Sequence, residues 1–308
     1  MKKILTTLVA ILSSGILGLS VITNTKTAKA DDNDTPVVTL GTSLTASQKQ
    51  GTIDTLTQSL NGANYTTITI TGSDLVKYLN PSGYDFTDNS GVWSSAMVQK
   101  TSSGSGINVH ILPYNGHNNI TTITANQYKN AALTAGISDA DIYVTSATPI
   151  DGSGALAGVY AAYAKNGDSL NQKQINAAQT EMNTLSKITS QNKGKDGYSD
   201  AQLNNAVAGA KKEMAKQGQN ISDSQVRDIV NNQININHLG DTITNNQKEQ
   251  IINVLIKVKN SGALKDKNFQ QQASQLTDQI QSGAKNIFSK FNTPETRNWF
   301  QKLIDSIV

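Results

Sequence analysis

Two patterns of hydrophobic and polar residues divide the chain near residue 165. Before that position, short β-branched runs alternate with segments in which apolar residues recur every three or four positions, and glycine-rich turns separate them. Tyr65–Thr71 is the clearest strand, because β-branched residues fill an alternating pattern there. Strands that alternate with helices favour an α/β or α+β sandwich with some parallel pairing.

Capping boxes mark two helix starts in this half. In this motif a Ser or Thr hydroxyl accepts a hydrogen bond from the amide three residues on, and a Gln side chain reaches back. Thr45-x-x-Gln48 and Thr124-x-x-Gln127 have this form, and Gly136 suits the residue that ends the second helix. The predicted strands cover residues 37–40, 65–71, 93–100, 107–112 and 142–145, with a turn at 101–106 and helices after residues 45, 72, 124 and 154.

After residue 165, nearly every segment has the period of an amphipathic helix and is rich in Gln, Asn and Lys. Capping boxes are predicted at Ser199, Ser222 and Thr244, and Thr293-Pro294 places proline at the first position of a last helix. The spacing of about six helices is uneven, which favours a loose bundle or an extended helical tail over a solenoid.

The predicted fold class is therefore α+β. An N-terminal α/β sandwich-like domain is predicted at residues 36–165, and an all-helical region at residues 166–308. Because each part has its own apolar pattern, we expect residues 36–165 to fold without the helical part.

The first 30 residues have the pattern of a signal peptide. Two lysines follow the initial Met, an apolar run extends over residues 4–22, and Ala28-Lys29-Ala30 suits cleavage before Asp31. An uncleaved membrane anchor is the alternative, but polar and glycine residues at positions 13–15 interrupt the run. We therefore expect export, with no transmembrane segment after removal of residues 1–30.

Two absences narrow the mode of anchoring. The chain has no cysteine, which excludes disulfides, thiolate metal sites and lipid attachment to an N-terminal cysteine. Residues 299–308 contain neither an LPxTG-like sorting motif nor a basic stop-transfer tail. The sequence thus predicts a product that is secreted, or loosely associated with an envelope of the Gram-positive type.

The distribution of charge bears on the partners. The sequence has 26 basic and 23 acidic side chains, and residues 1–30 hold four of the basic ones, which leaves 22 against 23 after cleavage. This balance gives no reason to expect nucleic acid as a partner. Residues 248–308 contain nine basic and five acidic residues. A basic end could favour an anionic cell-envelope polymer, although interleaved acids are more typical of a solvated helical face.

Metal and cofactor sites are not indicated. His110, His117 and His238 are the only histidines, and a structural or catalytic metal site needs three or four protein ligands. No HExxH motif or carboxylate cluster accompanies these residues. The sequence therefore predicts no metal and no cofactor.

A glycine-rich stretch offers a weak phosphate-binding signal. Gly152-Ser153-Gly154-x-x-x-Gly158 follows a predicted strand and begins a helix, a context in which backbone amides can hold phosphate. It misses the G-x-G-x-x-G spacing by one position and contains no P-loop lysine. Close backbone packing is the favoured interpretation.

Candidate hydrolase residues are scattered along the chain. Ser105 and Ser153 lack the G-x-S-x-G setting of an activated nucleophile. Asp139, Asp141 and Asp151 could bind an ion or act as acid and base, but turn formation and solvation are their more ordinary roles. No catalytic residue is assigned on these patterns.

Two pairs of motifs resemble a known family. The pattern ITxxxYxNAxxTAGIxDA at residues 123–140 and SGALAG at 153–158 are similar to the YpuA-like family of secreted proteins, also known as domain of unknown function family 1002. SSA at 94–96 and GSGINV at 104–109 resemble the central strands of that family. The chain departs from it in the turn before Gly104 and in Asn- and Thr-rich loops. The resemblance implies a secreted protein of two-part layout, and it supplies no activity, cofactor or catalytic residue.

These observations predict a noncatalytic extracellular or cell-envelope interaction protein, with an anionic envelope polymer or another surface protein as its partner. The alternative is an unrecognised secreted hydrolase of cell wall or polysaccharide, with Asp139, Asp141, Asp151 or Ser153 near its site. A hydrolase requires such residues to converge in one cleft, whereas a binding protein needs only a complementary surface.

Overall fold

A five-stranded mixed sheet is the centre of the computed structural model, which describes residues 35–290. Its strands are β1 (Val37–Gly41), β2 (Thr66–Ile70), β3 (Ser94–Lys100), β4 (Ile107–Ile111) and β5 (Ala140–Ser146). They lie in the order β2-β1-β3-β5-β4. The β1–β2 and β4–β5 pairs are parallel, and β3 is antiparallel to both of its neighbours. The parallel pairing predicted from the alternation of strands and helices is therefore present on both sides of β3.

The turn after β3 does not form a hairpin, because β5 lies between β3 and β4 in the sheet. Asp139, which precedes β5, holds this turn in place. Its carboxylate accepts a hydrogen bond from the amide of Gly106 at 2.9 Å. Asp139 itself has φ +47°, a left-handed conformation that Asp tolerates better than most residues do.

Four helices follow the strands of this part: α1 (Ala46–Thr57), α2 (Gly72–Leu79), α3 (Ala125–Ala135) and α4 (Ser153–Lys165). The predicted capping boxes at Thr45 and Thr124 are complete. A third, at α2, was not predicted from the sequence, since its acceptor is the carboxylate of Asp74 rather than a Gln carboxamide. That carboxylate accepts from the amide of Thr71 at 2.8 Å.

The two faces of the sheet are covered by different helices. On one face, Leu56 of α1 and Leu60 of the 3-10 turn that follows it pack against Val38, Leu40 and Met97. On the other face, α4 lies against β1 and β3. The approach of α4 is close enough that its glycines are required. A Cβ at position 158 would lie 2.4 Å from Thr39 Oγ1, and one at position 154 would lie 3.0 Å from Ser94 Oγ.

Six more helices complete the described residues: α5 (Gln172–Asn192), α6 (Asp200–Gln217), α7 (Asp223–Ile236), α8 (Asn245–Ser261), α9 (Phe269–Gly283) and α10 (Lys285–Phe288). Helices α5, α6 and α9 pack on α3, and α7 and α8 pack on α6 and α5. The predicted capping boxes at Ser222 and Thr244 are complete. The box at Ser199 is half formed, because Gln202 Oε1 accepts from the Ser199 hydroxyl at 2.8 Å and not from the Ser199 amide.

A buried polar network connects α3, α5 and α6. Glu181 and Lys211 form an ion pair at 2.5 Å with both side chains fully buried. Thr134 Oγ1 donates to Glu181 at 2.6 Å, and Lys211 Nζ donates to Asn130 O at 2.8 Å. Burial raises the pKa of Glu181 and lowers the pKa of Lys211, and their mutual attraction opposes both shifts.

The hydrophobic core is continuous across residue 165. One cluster contains Val98 and Ile142 of the sheet, Leu133 of α3, and Met182 and Leu203 of the later helices. The described residues belong to one compact unit. The predicted α+β fold class is confirmed, and folding of residues 36–165 alone stays a prediction.

Two predictions from the sequence lie outside the described residues: the signal peptide at 1–30 and the helix that begins at Thr293. Among residues 35–290, no helix combines the length and the apolar character that crossing a membrane requires.

Candidate functional site

A cleft of about 530 Å³ opens at the carboxyl end of β4. Its walls come from Ile111, from residues 118–125 before and at the start of α3, from residues 186–194 at the end of α5, and from residues 198–200 at the start of α6. Side-chain hydroxyls predominate in this lining, and we call it the hydroxyl cleft. Its volume lies within the range of small-molecule sites, about 300–1,000 Å³.

One wall is a face of α5. Ser186, Thr189, Ser190 and Lys193 line the cleft, and their spacing of three, four and seven positions places them on one side of a helix. The opposite wall is the segment before α3, where Ile120 and Ile123 contribute apolar surface. The cleft therefore has a hydroxyl-bearing wall and a partly apolar wall.

Backbone hydrogen bonds hold the apolar wall in place. Thr121 N donates to Ile150 O at 2.8 Å, and Ile123 N donates to Asp151 O at 3.1 Å. These bonds join the segment to the loop after β5. A wall that is paired in this way requires little ordering when a ligand binds.

Asp200, the first residue of α6, connects three helices at the base of the cleft. Its carboxylate accepts from Thr124 Oγ1 at 3.0 Å, from Thr189 Oγ1 at 3.3 Å and from Asn204 Nδ2 at 2.9 Å. Asn126 and Gln127 donate to it as well, at 3.4 and 3.2 Å. An acidic group at a helix N-terminus is favoured by the helix dipole.

Burial shifts the ionisation of two groups in the cleft. It raises the pKa of Asp200, although the hydrogen bonds from Thr124, Asn126 and Thr189 act in the opposite direction. Burial also raises the pKa of Tyr198, whose hydroxyl lies 2.9 Å from Thr189 Oγ1. Tyr198 therefore acts in the cleft as a neutral hydroxyl at physiological pH.

Ser186 stands out among the lining residues. Its side chain is 9% exposed, and its Oγ makes no hydrogen bond with any of the described residues. A buried hydroxyl of this kind is uncommon, since most buried polar side-chain atoms have a partner. Ser186 lines the cleft, and its hydroxyl, which is almost wholly covered, has an unused donor and unused acceptor lone pairs.

The comparison with known proteins is decided by a family model. The model described as "Protein of unknown function (DUF1002)" matches residues 40–276. The chain belongs to the DUF1002 family. Over 273 residues it is 29% identical to "Uncharacterized protein YpuA" of Bacillus subtilis (strain 168), covering 88% of this chain and 86% of that relative. No solved structure matches it.

The DUF1002 match confirms the family resemblance predicted from the motifs at residues 94–109 and 123–158. The matched region, residues 40–276, includes all the walls of the hydroxyl cleft. The cleft thus belongs to the part of the chain that defines the family.

The candidate aspartates of this DUF1002 chain lie in two places. Asp139 and Asp141 are at the start of β5, whereas Asp151 follows its end. The seven residues of β5 span about 20 Å. The carboxylates of Asp139 and Asp151 are therefore not brought together.

Each of these aspartates has a local structural partner. Asp139 accepts from Gly106 N and from Gln272 Nε2, the latter at 2.7 Å. Burial alone would raise the pKa of Asp139, but these hydrogen bonds outweigh burial and lower it. Asp141 accepts from Asn108 Nδ2 at 2.9 Å. Asp151 accepts from the amide and the hydroxyl of Ser153, both at 3.0 Å, in the turn that begins α4.

The three histidines are also apart in the fold. His110 is exposed on β4 and stacks on Tyr143 with ring centroids 4.8 Å apart. His117 lies in the tight turn after β4, and His238 follows α7. In the described range, no three His, Cys, Asp or Glu side chains are grouped so as to hold a metal ion.

The basic stretch after residue 248 is partly neutralised within the fold. Lys259 forms an ion pair with Asp223, and Lys257 Nζ donates to Thr180 Oγ1 at 2.7 Å. Lys265 and Lys267 are exposed at the turn before α9. Of these four lysines, two have partners within the fold and two are exposed.

The hydroxyl cleft was not predicted from the sequence. Thr124 and Ser199 were recognised only as helix caps. A signal was present on α5, where the hydroxyl residues Ser186, Thr189 and Ser190 recur at helical spacing. That spacing becomes informative only when the segment before α3 is known to lie opposite.

Proposed function

We propose that this protein is an exported, noncatalytic binding protein whose ligand site is the hydroxyl cleft. The observation that carries the proposal is the Ser186 hydroxyl, which is buried in the wall of the cleft without a partner among residues 35–290. Export is supported by the signal-peptide pattern of residues 1–30.

Folding leaves the Ser186 hydroxyl without a hydrogen-bond partner among the described residues. A buried polar group without a partner destabilises a protein by about 1–3 kcal/mol. An alanine at position 186 would avoid this penalty at a helical position that favours alanine. We take this hydroxyl, which the described residues do not use and which lies in the wall of a cleft, as the group that a ligand would engage.

The alternative function, hydrolysis, finds less support in the geometry. Asp139 and Asp141 lie at the opposite end of β5 from Asp151 and Ser153. The hydroxyl of Ser153 donates to Asp151 at 3.0 Å in a turn, and both groups serve the start of α4. A serine nucleophile requires an adjacent base that removes its proton while the serine attacks the substrate.

The test is co-sedimentation of the mature chain with purified cell walls. Ser190 is exposed on the rim of the cleft, so Ser190→Trp should fill the cleft without disturbing the core. Lys173→Trp is the matched control, since Lys173 is exposed near the other end of α5, about 25 Å away at 1.5 Å per residue. We expect Ser190→Trp to lose wall binding and Lys173→Trp to keep it.

A salt series separates this proposal from electrostatic retention by the basic stretch. Exposed charges are screened beyond about 10 Å at 0.1 M salt. Binding that disappears at high salt and in Lys265→Gln/Lys267→Gln, but survives Ser190→Trp, would contradict the proposal. Equal binding by both tryptophan variants would contradict it as well.

A further inference from the structure

We infer that the ligand of the hydroxyl cleft is an uncharged pyranose unit of a glycan, an inference that rests on the proposed function. A pyranose ring has apolar C–H faces and a rim of hydroxyls. The cleft likewise has an apolar wall and a hydroxyl-bearing wall. Ile120 and Ile123 lie on the first, and Ser186, Thr189 and Ser190 lie on the second. Tyr198 adds an aromatic ring with a polar tip to the lining.

The hydrogen-bond inventory shows what the cleft can offer a ligand. Asp200 offers little, because five protein donors already occupy its roughly four lone-pair sites. Three of those donors are side-chain amide NH2 groups, and donors of this kind favour the ionised, carboxylate form of Asp200. Asp200 is therefore not available to a cationic ligand.

The remaining groups form a directed chain of hydroxyls. Thr189 Oγ1 donates to Asp200 at 3.3 Å and accepts from Gln127 Nε2 at 3.2 Å. The hydroxyl of Tyr198, 2.9 Å away, therefore donates to the remaining lone pair of Thr189. Tyr198 then keeps its own lone pairs for an incoming donor. Ser186 can both donate and accept, since it is unpaired within the described residues. Groups that accept and donate side by side suit sugar hydroxyls, which do the same.

Charge argues against an anionic ligand. The N-termini of α3 and α6 meet at the cleft, and such termini attract anions. Here the carboxylate of Asp200 already occupies that position. Lys193 is exposed on the rim and, within the part of the chain that the structure describes, is the one cation of the lining. With one carboxylate and one ammonium, the lining is close to neutral.

The experiment is isothermal titration calorimetry on the mature chain with three probes. These are the tetrasaccharide of N-acetylglucosamine, the tetrasaccharide of glucose (maltotetraose) and poly(glycerol phosphate). The two sugars distinguish a peptidoglycan-like source from another polysaccharide. The anionic polymer tests the opposite chemistry. We expect at least one sugar to bind and the polymer not to bind at the cleft.

Three variants test the roles of the residues. Ser186→Ala should weaken sugar binding about fivefold, the effect of losing one net neutral hydrogen bond, with no loss of thermal stability. Lys193→Gln tests the anionic alternative, because loss of poly(glycerol phosphate) binding in this variant would place that polymer at the cleft. Thr184→Ala, on α5 but outside the lining, is the control and should leave both affinity and fold unchanged.

The outcomes separate the two proposals. If neither sugar binds, while wall binding is still abolished by Ser190→Trp, the pyranose assignment is wrong and the proposed function stands. If poly(glycerol phosphate) binds and Lys193→Gln abolishes that binding, the ligand is anionic and the assignment is overturned. If walls are not bound by the parent chain, both proposals fail.

Discussion

The buried ion pair between Glu181 and Lys211 gives the sharpest prediction about stability. Both side chains are fully buried, and their charged atoms lie 2.5 Å apart. Lys211→Met replaces the lysine with an apolar side chain of similar length and leaves Glu181 with Thr134 as its remaining partner. Removing one member of a buried pair typically destabilises by about 3–5 kcal/mol, because the other charge stays buried.

The loss should depend on pH. Burial raises the pKa of Glu181 above its ordinary value of 4.5, and Lys211 is the main influence that lowers it. Without Lys211, the folded state binds a proton on Glu181 more tightly than the unfolded state does. The stability that protonation of Glu181 contributes to the variant is fully present below about pH 4.5. It is lost as the pH rises through the raised folded-state pKa. The destabilisation should be smaller at pH 5 than at pH 8.

Denaturant unfolding at pH 5 and pH 8 measures both effects. Lys216→Met is the matched control on α6, since Lys216 pairs with Glu213 at an exposed position where a pair contributes about 0.5 kcal/mol. The double variant Glu181→Gln/Lys211→Met should recover much of the loss, because no buried charge remains. The reasoning is refuted if Lys211→Met loses no more stability than Lys216→Met at pH 8, or if its loss is equal at both pH values.

Three further predictions concern packing, processing and domain structure. Gly158→Ala should destabilise by about 1–3 kcal/mol, because its Cβ would lie 2.4 Å from Thr39 Oγ1. Gly283→Ala, whose Cβ meets nothing within 4 Å, should be neutral or stabilising by up to about 1 kcal/mol; denaturant midpoints compare the two. N-terminal sequencing of secreted protein should return Asp31, and a product beginning at Met1 would contradict export with cleavage. Residues 36–165 expressed alone should unfold cooperatively at a lower Tm than the full chain, since the outer face of α3 loses its cover; no transition would argue against a boundary near residue 165.

Local patterns predicted the secondary structure well. The strands and helices before residue 165 are found within a few residues of their predicted bounds, because capping boxes and β-branched runs act through neighbouring residues. The parallel pairing followed from the alternation of strands and helices. The order of strands did not, since the insertion of β5 between β3 and β4 depends on contacts far apart in sequence.

The hydroxyl cleft could not be predicted from such local patterns. Ser186 and Thr124 are 62 residues apart in sequence, and only the packing of α5 on α3 makes them face the same cleft. The capping motif at Ser199 was recognised, but it also concealed the role of its neighbour Asp200. The sequence indicated Asp139 and Asp151 as candidate catalytic residues, but both carboxylates accept hydrogen bonds from backbone amides in turns.

A chemical-shift map of the labelled mature chain, titrated with solubilised cell-wall fragments, would locate the ligand site residue by residue. We expect the largest shifts on Ser186, Thr189 and Tyr198, and we expect them to saturate and to vanish in Ser190→Trp. Shifts concentrated around Lys265 and Lys267, or the same shifts at the cleft in Ser190→Trp, would contradict the assignment of the hydroxyl cleft as the ligand site.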